Sequence, residues 1–160
     1  MKYNPIFDYS KSDLLIEENL VYWKFSELLK NLIIISSEPD RQIEYIGYGV
    51  VTDEMALDFD TYYSLSFQSY LDFKLISNNQ KSKLDDLAAF FNSRDPKFWD
   101  DSKLNTNPEW KLARQKAKDI LKSLDKENLT LEYVRFEEKD NSGNLIKQTT
   151  RTRKLNKNNS

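Results

Sequence analysis

The chain has 160 residues, of which 39% are hydrophobic, 31% charged and 13% aromatic, and it contains no Cys and no His. That length and balance suit one globular domain that needs no disulfide or metal to hold its core, and they exclude a disordered or low-complexity chain. Without Cys and His, thiolate nucleophiles, sulfur-ligated zinc, Ser-His-Asp triads and His-carboxylate iron sites are excluded within the chain.

What remains is chemistry by carboxylates, Lys, Tyr or an oxygen-only metal site. Net charge is −2, but residues 37–110 hold 7 basic and 14 acidic groups, net −7, whereas residues 111–160 hold 13 basic and 7 acidic, net +6. Such asymmetry bears on steering and partners rather than on fold. The opening "MKYNPIFDYSKSDLL" has no apolar run of signal-peptide length, and the longest aliphatic run, Leu32 to Ile35, is far too short to span a bilayer. A cytoplasmic protein without a membrane segment is expected.

Taken in chain order, the first predicted helix covers Leu14 to Ile35, with Ser12 as N-cap and Trp23, Leu28, Leu32 and Ile35 at helical spacing. "SSEPDRQIEYIG" predicts a short second helix: Ser37 caps it, Pro39 lies in its first turn and Gly47 follows its end. A strand from Gln42 to Val51 is the competing reading.

The next stretch, "GYGVVTDEMALDFDTYY", predicts a helix capped by Thr52. Met55, Phe59, Tyr62, Tyr63, Ser66, Tyr70 and Phe73 then fall on one stripe, at intervals that belong to a helix and not to a strand. Asp53, Glu54, Asp58 and Asp60 fall on the other side and are expected to face outward.

Those four carboxylates are the candidate site. Glu54 and Asp58, at i and i+4, share a face and could reach one ion, but neither EF-hand spacing nor a loop glycine supports calcium. Paired-carboxylate hydrolysis needs one acid kept dry, which an exposed helix start does not provide. Acids in a first helical turn complement the helix dipole, which accounts for Asp53 and Glu54 but not for Asp58 and Asp60. A partner-facing acidic patch accounts for all four.

A further helix is expected from Lys81 to Asn92, with Leu84, Leu87, Ala88 and Phe91 inward, followed by a loop held by Pro96 and anchored by Phe98 and Trp99. Asn107-Pro108-Glu109 signals another helix start. That helix places Trp110, Ala113, Ala117, Ile120, Leu121 and Leu124 on one face and Lys111, Arg114, Lys118 and Lys122 on another. The basic stripe has no interleaved aromatic stacking platform, so nucleic acid is not the expected partner.

The period then changes. Leu129 to Lys139 and Leu145 to Arg153, joined by Asp140-Asn-Ser-Gly-Asn, predict a β-hairpin in which "TTRTRK" protects an edge. The whole reads as a mainly α fold, a compact bundle of four to five helices with a C-terminal β-hairpin, forming one domain over 1–155 with a frayed polar tail at 156–160.

The order "GYGVVTDEMALDF", an amphipathic aromatic helix, "LDDLAAFF", "FWDD" and "PEWKLARQKAKDIL" resembles the small immunity proteins of bacterial polymorphic and contact-dependent toxin systems, over about Gln42 to Leu124. The resemblance implies a non-enzymatic protein without cofactor or metal that binds a cognate toxin domain in the producing cell's cytoplasm. It makes Asp53, Glu54, Asp58 and Asp60 the contacts for a basic partner. The basic C-terminal third departs from a uniformly acidic inhibitor. Two other readings stand beside it: a metal-dependent carboxylate hydrolase, and a nucleic-acid-associated accessory protein.

Overall fold

The computed structural model describes residues 2–47, 49–93 and 100–157. Among these residues lie six α-helices and then a two-stranded antiparallel hairpin, so the chain is mainly α. The helix α1 (Glu17–Ser36) begins later than Leu14. Ser12 is not its cap, because that hydroxyl donates to the Tyr9 carbonyl at 2.6 Å and closes a 3-10 turn over Tyr9–Lys11. From there α1 runs through the centre of the molecule, touching most of the other helices and the first strand of the hairpin, and its Leu28, Leu29, Leu32 and Ile35 are fully buried.

Helix wins over strand in the next segment, where α2 spans Pro39–Ile46. Ser37 belongs to the end of α1 and donates to the Ile33 carbonyl at 2.7 Å, which leaves Glu38 at the N-cap position of α2. Gly47 ends α2 at φ 75°, a left-handed conformation that glycine adopts without a Cβ clash. A Cβ there would also meet the Arg135 guanidinium at 2.5 Å. That guanidinium donates to the Glu44 carbonyl, so a cation from the hairpin caps the C-terminus of α2.

The single helix expected after Gly47 is divided into α3 (Val51–Phe59), a π-turn (Asp60–Ser64) and α4 (Phe67–Asp72). The stripe survives the division: Met55, Phe59, Tyr63, Ser66 and Tyr70 are buried, and Tyr62 and Phe73 are half-buried. Thr52 is not the N-cap. It lies inside the first turn, and the backbone N–H groups of Val51 and Thr52 donate to the two carboxylate oxygens of Asp101, each at 3.1 Å. A carboxylate distant in sequence therefore satisfies the orphan donors of α3.

The helix α5 (Asn78–Asn92) starts before Lys81, because Ser77 and Gln80 form a reciprocal capping box. Leu84, Leu87 and Phe91 are buried as expected. The helix α6 (Pro108–Ser123) starts where Asn107-Pro108 predicts, with the Asn107 side chain accepting from Glu109 N–H at 2.8 Å. Trp110 is fully buried, its ring edge-on to Phe90 at 5.0 Å. Arg114 departs from the expected basic face: it is buried and donates to the Leu104 carbonyl at 2.9 Å. Trp23 is half-buried, edge-on to Tyr62. The expected anchors Pro96, Phe98 and Trp99 lie outside the described residues.

The hairpin is β1 (Leu129–Lys139) with β2 (Leu145–Asn156), so β2 outlasts the predicted end at Arg153 and takes in Asn156, the start of the expected tail. A one-residue irregularity between Glu138 and Lys139 sets the register, pairing Leu131 with Lys154 and Tyr133 with Thr152. Leu129 and Leu131 pack into the core, and the Tyr45 ring meets Tyr133 edge-on at 5.9 Å. Among the described residues, no helix is long and apolar enough to cross a membrane.

Candidate functional site

The four predicted carboxylates do not share one environment. Helical phase turns Asp53 and Asp60 into solvent, while Glu54 and Asp58 turn toward the hairpin. There they line a recess of about 300 Å³ with Tyr45, Ile46, Thr150 and Thr152. Burial, then the nearby carboxylates of Glu54 and of Glu27 on α1, push the Asp58 carboxyl up to about 6. The outward expectation thus fails for Asp58, because residues of β2 and of α1 border that side of α3. Among the described residues, no group of three carboxylates is placed to hold a metal ion.

The exposed side of α3 is more than acidic. Leu57 is 59% exposed and stands between Asp53 and Asp60 at helical spacing. Val50 is 46% exposed one turn before Glu54, whose N–H donates to the Val50 carbonyl. Leu65 is 76% exposed one π-turn beyond Asp60, its N–H donating to the Asp60 carbonyl at 3.1 Å. Three apolar side chains therefore follow one another along a surface edged by two carboxylates.

A second concavity, which the sequence reading missed, opens on the far side of β2. Thr150 and Thr152 line both spaces, so β2 is the partition between them. This cleft encloses about 830 Å³ between the N-terminal segment, α1 and the hairpin. Its lining includes Ile6, Phe7, Trp23 and the buried Lys154, and, from the outward face of the hairpin, Val134 and Phe136.

Lys154 is only 4% exposed. Its ammonium meets the Tyr3 hydroxyl at 3.3 Å, and that hydroxyl is hydrogen-bonded to Ser26 Oγ at 2.7 Å. Burial, and then the cation of Lys30, push Lys154 down to about 7, against the weaker pull of Glu27 and Asp8. Burial also holds the Tyr3 phenol well above its ordinary range, so Tyr3 stays protonated.

The expected edge-protecting role of "TTRTRK" fails at Lys154, which the register turns inward opposite Leu131. Alternation along β2 leaves either Arg153 or Lys154 as the inward cation, and only the register selects Lys154. The chain matches no protein-family model, no curated protein and no solved structure.

Proposed function

We propose that the protein neutralises a basic bacterial toxin domain by binding it through the exposed face of α3, as an immunity protein does. The observation that carries this reading is the run Val50, Leu57 and Leu65 set beside Asp53 and Asp60. Protein interfaces combine apolar anchors, which supply most of the affinity, with a charged rim that steers encounter and rejects wrong partners. In this arrangement Asp53 and Asp60 are the rim contacts. Glu54 and Asp58, turned toward the hairpin, add negative potential from behind the face rather than direct ion pairs.

The test is a kinetic binding measurement against the C-terminal domain of a large secreted protein encoded beside this chain. We expect a one-to-one complex that abolishes the toxicity of that domain. Replacing Asp53 and Asp60 together by Asn slows association by about three- to tenfold at low salt, and the difference shrinks as salt rises. Leu57→Ala instead speeds dissociation. Unchanged kinetics in both variants move the interface to another face, and toxicity that persists in the presence of this protein removes the reading.

A further inference from the structure

The cleft beside β2 has the volume of a small-molecule site, and sites of that kind are apolar with a few placed polar groups. Ile6, Phe7, Val134 and Phe136 all line it, each about half exposed to water. Solvent contact at apolar side chains that line a cleft is relieved when an apolar body fills it.

The charges in the cleft do not cancel. Each lining carboxylate is engaged: Asp8 accepts from Ser10 N–H and Oγ, Glu27 pairs with Lys30 at 3.2 Å, and Glu132 pairs with Arg153 at 2.7 Å. Three lining cations are left with no carboxylate within 4.0 Å among the described residues, namely Lys11, Arg151 and Lys154. Arg151 lies over the Phe136 ring at 5.7 Å. Lys154 is the decisive one, because a buried ammonium carries three donors and here meets a single hydroxyl.

We propose that this cleft binds a small apolar carboxylic acid, with its carboxylate on Lys154 and its hydrocarbon body against Phe7 and Trp23. An inorganic anion would leave the walls wet, and an uncharged lipid would leave Lys154 without a counter-ion. A free small acid fits both features at once, and the three-sided enclosure suits a compact ligand. The other titratable groups facing Lys154 are Tyr3 and Asp8 on the N-terminal segment, Glu27 and Lys30 on α1, and Lys126 after α6. None of these supplies the missing ion pair. Binding favours the protonated amine, so affinity is expected to fall as pH rises from about 6.5 to about 9.

Isothermal titration of the intact protein with sodium octanoate, octan-1-ol and octylammonium chloride tests the proposal at about pH 6.5. Octanoate should bind once per chain with a dissociation constant below about 1 mM, octan-1-ol at least about tenfold more weakly, and octylammonium without saturation. Lys154→Met should bring octanoate to the affinity of octan-1-ol. Phe7→Ala, at a position 47% exposed, should weaken both ligands alike.

The three-ligand comparison on the unaltered protein decides the matter even if Lys154→Met does not fold. Absence of saturable octanoate binding overturns the proposal. So does equal affinity for acid and alcohol, and so does a Lys154→Met protein that still prefers the acid. These results leave the α3 reading untouched, since the two sites share no residue.

Discussion

The two sides of α3 and its continuation meet very different neighbours. Along the aromatic stripe the seam is dry: Phe59 lies 5.2 Å from Tyr63 and 5.3 Å from Phe91, and Phe91 in turn meets Trp110. Its few polar atoms are tied off, as where the Tyr63 hydroxyl donates to Asp85 at 2.5 Å. Beneath the hairpin the seam is polar, holding Glu54 and Asp58 on one side of β2 and Lys154 on the other. Close-packed rings contribute stability through area and shape. Half-buried charges withhold it, because the protein has given up their hydration without pairing them fully. The helical seam therefore holds the fold together, and the hairpin seam concentrates the groups whose protonation depends on their surroundings.

The sharpest way to break this comparison is Phe59→Ala, which removes a fully buried ring from the dry seam and should cost about 3–5 kcal/mol in urea unfolding. A loss under about 1 kcal/mol would show that the helices do not carry the stability. Next is Gly47→Ala, which forces a side chain into a left-handed conformation and against the Arg135 guanidinium. It should cost about 1–2 kcal/mol or more and loosen the hairpin from α2, visible as faster amide exchange in β1. A variant that melts with the parent would mean that Arg135 does not hold the hairpin in place.

Asp101→Ala should cost about 1–2 kcal/mol, the loss of an N-cap, even though Asp101 is remote from α3 in sequence. Amide exchange at Val51 and Thr52 should rise with it, and protection that stays intact would reassign their partners.

The smallest effect concerns pH. The Asp58 carboxyl stands at about 6 in the folded protein against an ordinary 3.8. Between those values the folded chain holds a proton that the unfolded chain has released, so Asp58 makes stability fall as pH rises through that window. Above it the full penalty of a charged Asp58 remains. Asp58→Asn should therefore flatten the stability profile between about pH 4 and about pH 6, and at pH 7.5 it should be at least as stable as the parent. An Asn variant less stable than the parent at neutral pH would mean that the charged carboxylate has a partner beneath the hairpin.

How much of this was legible follows from the range of the forces involved. The stripe from Met55 to Phe73 was read from spacing alone, because a helix repeats its faces every few residues and burial then follows composition. Asn107-Pro108 marked the start of α6 for the same local reason. Two of the caps that failed, Thr52 and Ser37, did so because the true partners are distant or already engaged. Asp101 reaches α3 from a separate turn, and Ser37 serves the helix before it rather than the one after. Arg114 looked like a surface cation until the Leu104 carbonyl supplied a buried acceptor.

By itself the sequence determined the class of fold, the order of its elements, the aromatic side of α3 and α4, and the absence of thiol and imidazole chemistry, since each depends on residue type and short-range period. Only the tertiary structure decided which charges are hidden. The irregularity between Glu138 and Lys139 shifts the hairpin by one residue; without it Arg153 rather than Lys154 would stand opposite Leu131 and point inward. A one-residue slip moves every side chain of a strand to the other face, and no local pattern in "TTRTRK" selects between the two registers. The packing of the hairpin against α1 and α2 makes that selection, and the recess beside β2 sets Glu54 and Asp58 apart from the exposed Asp53 and Asp60.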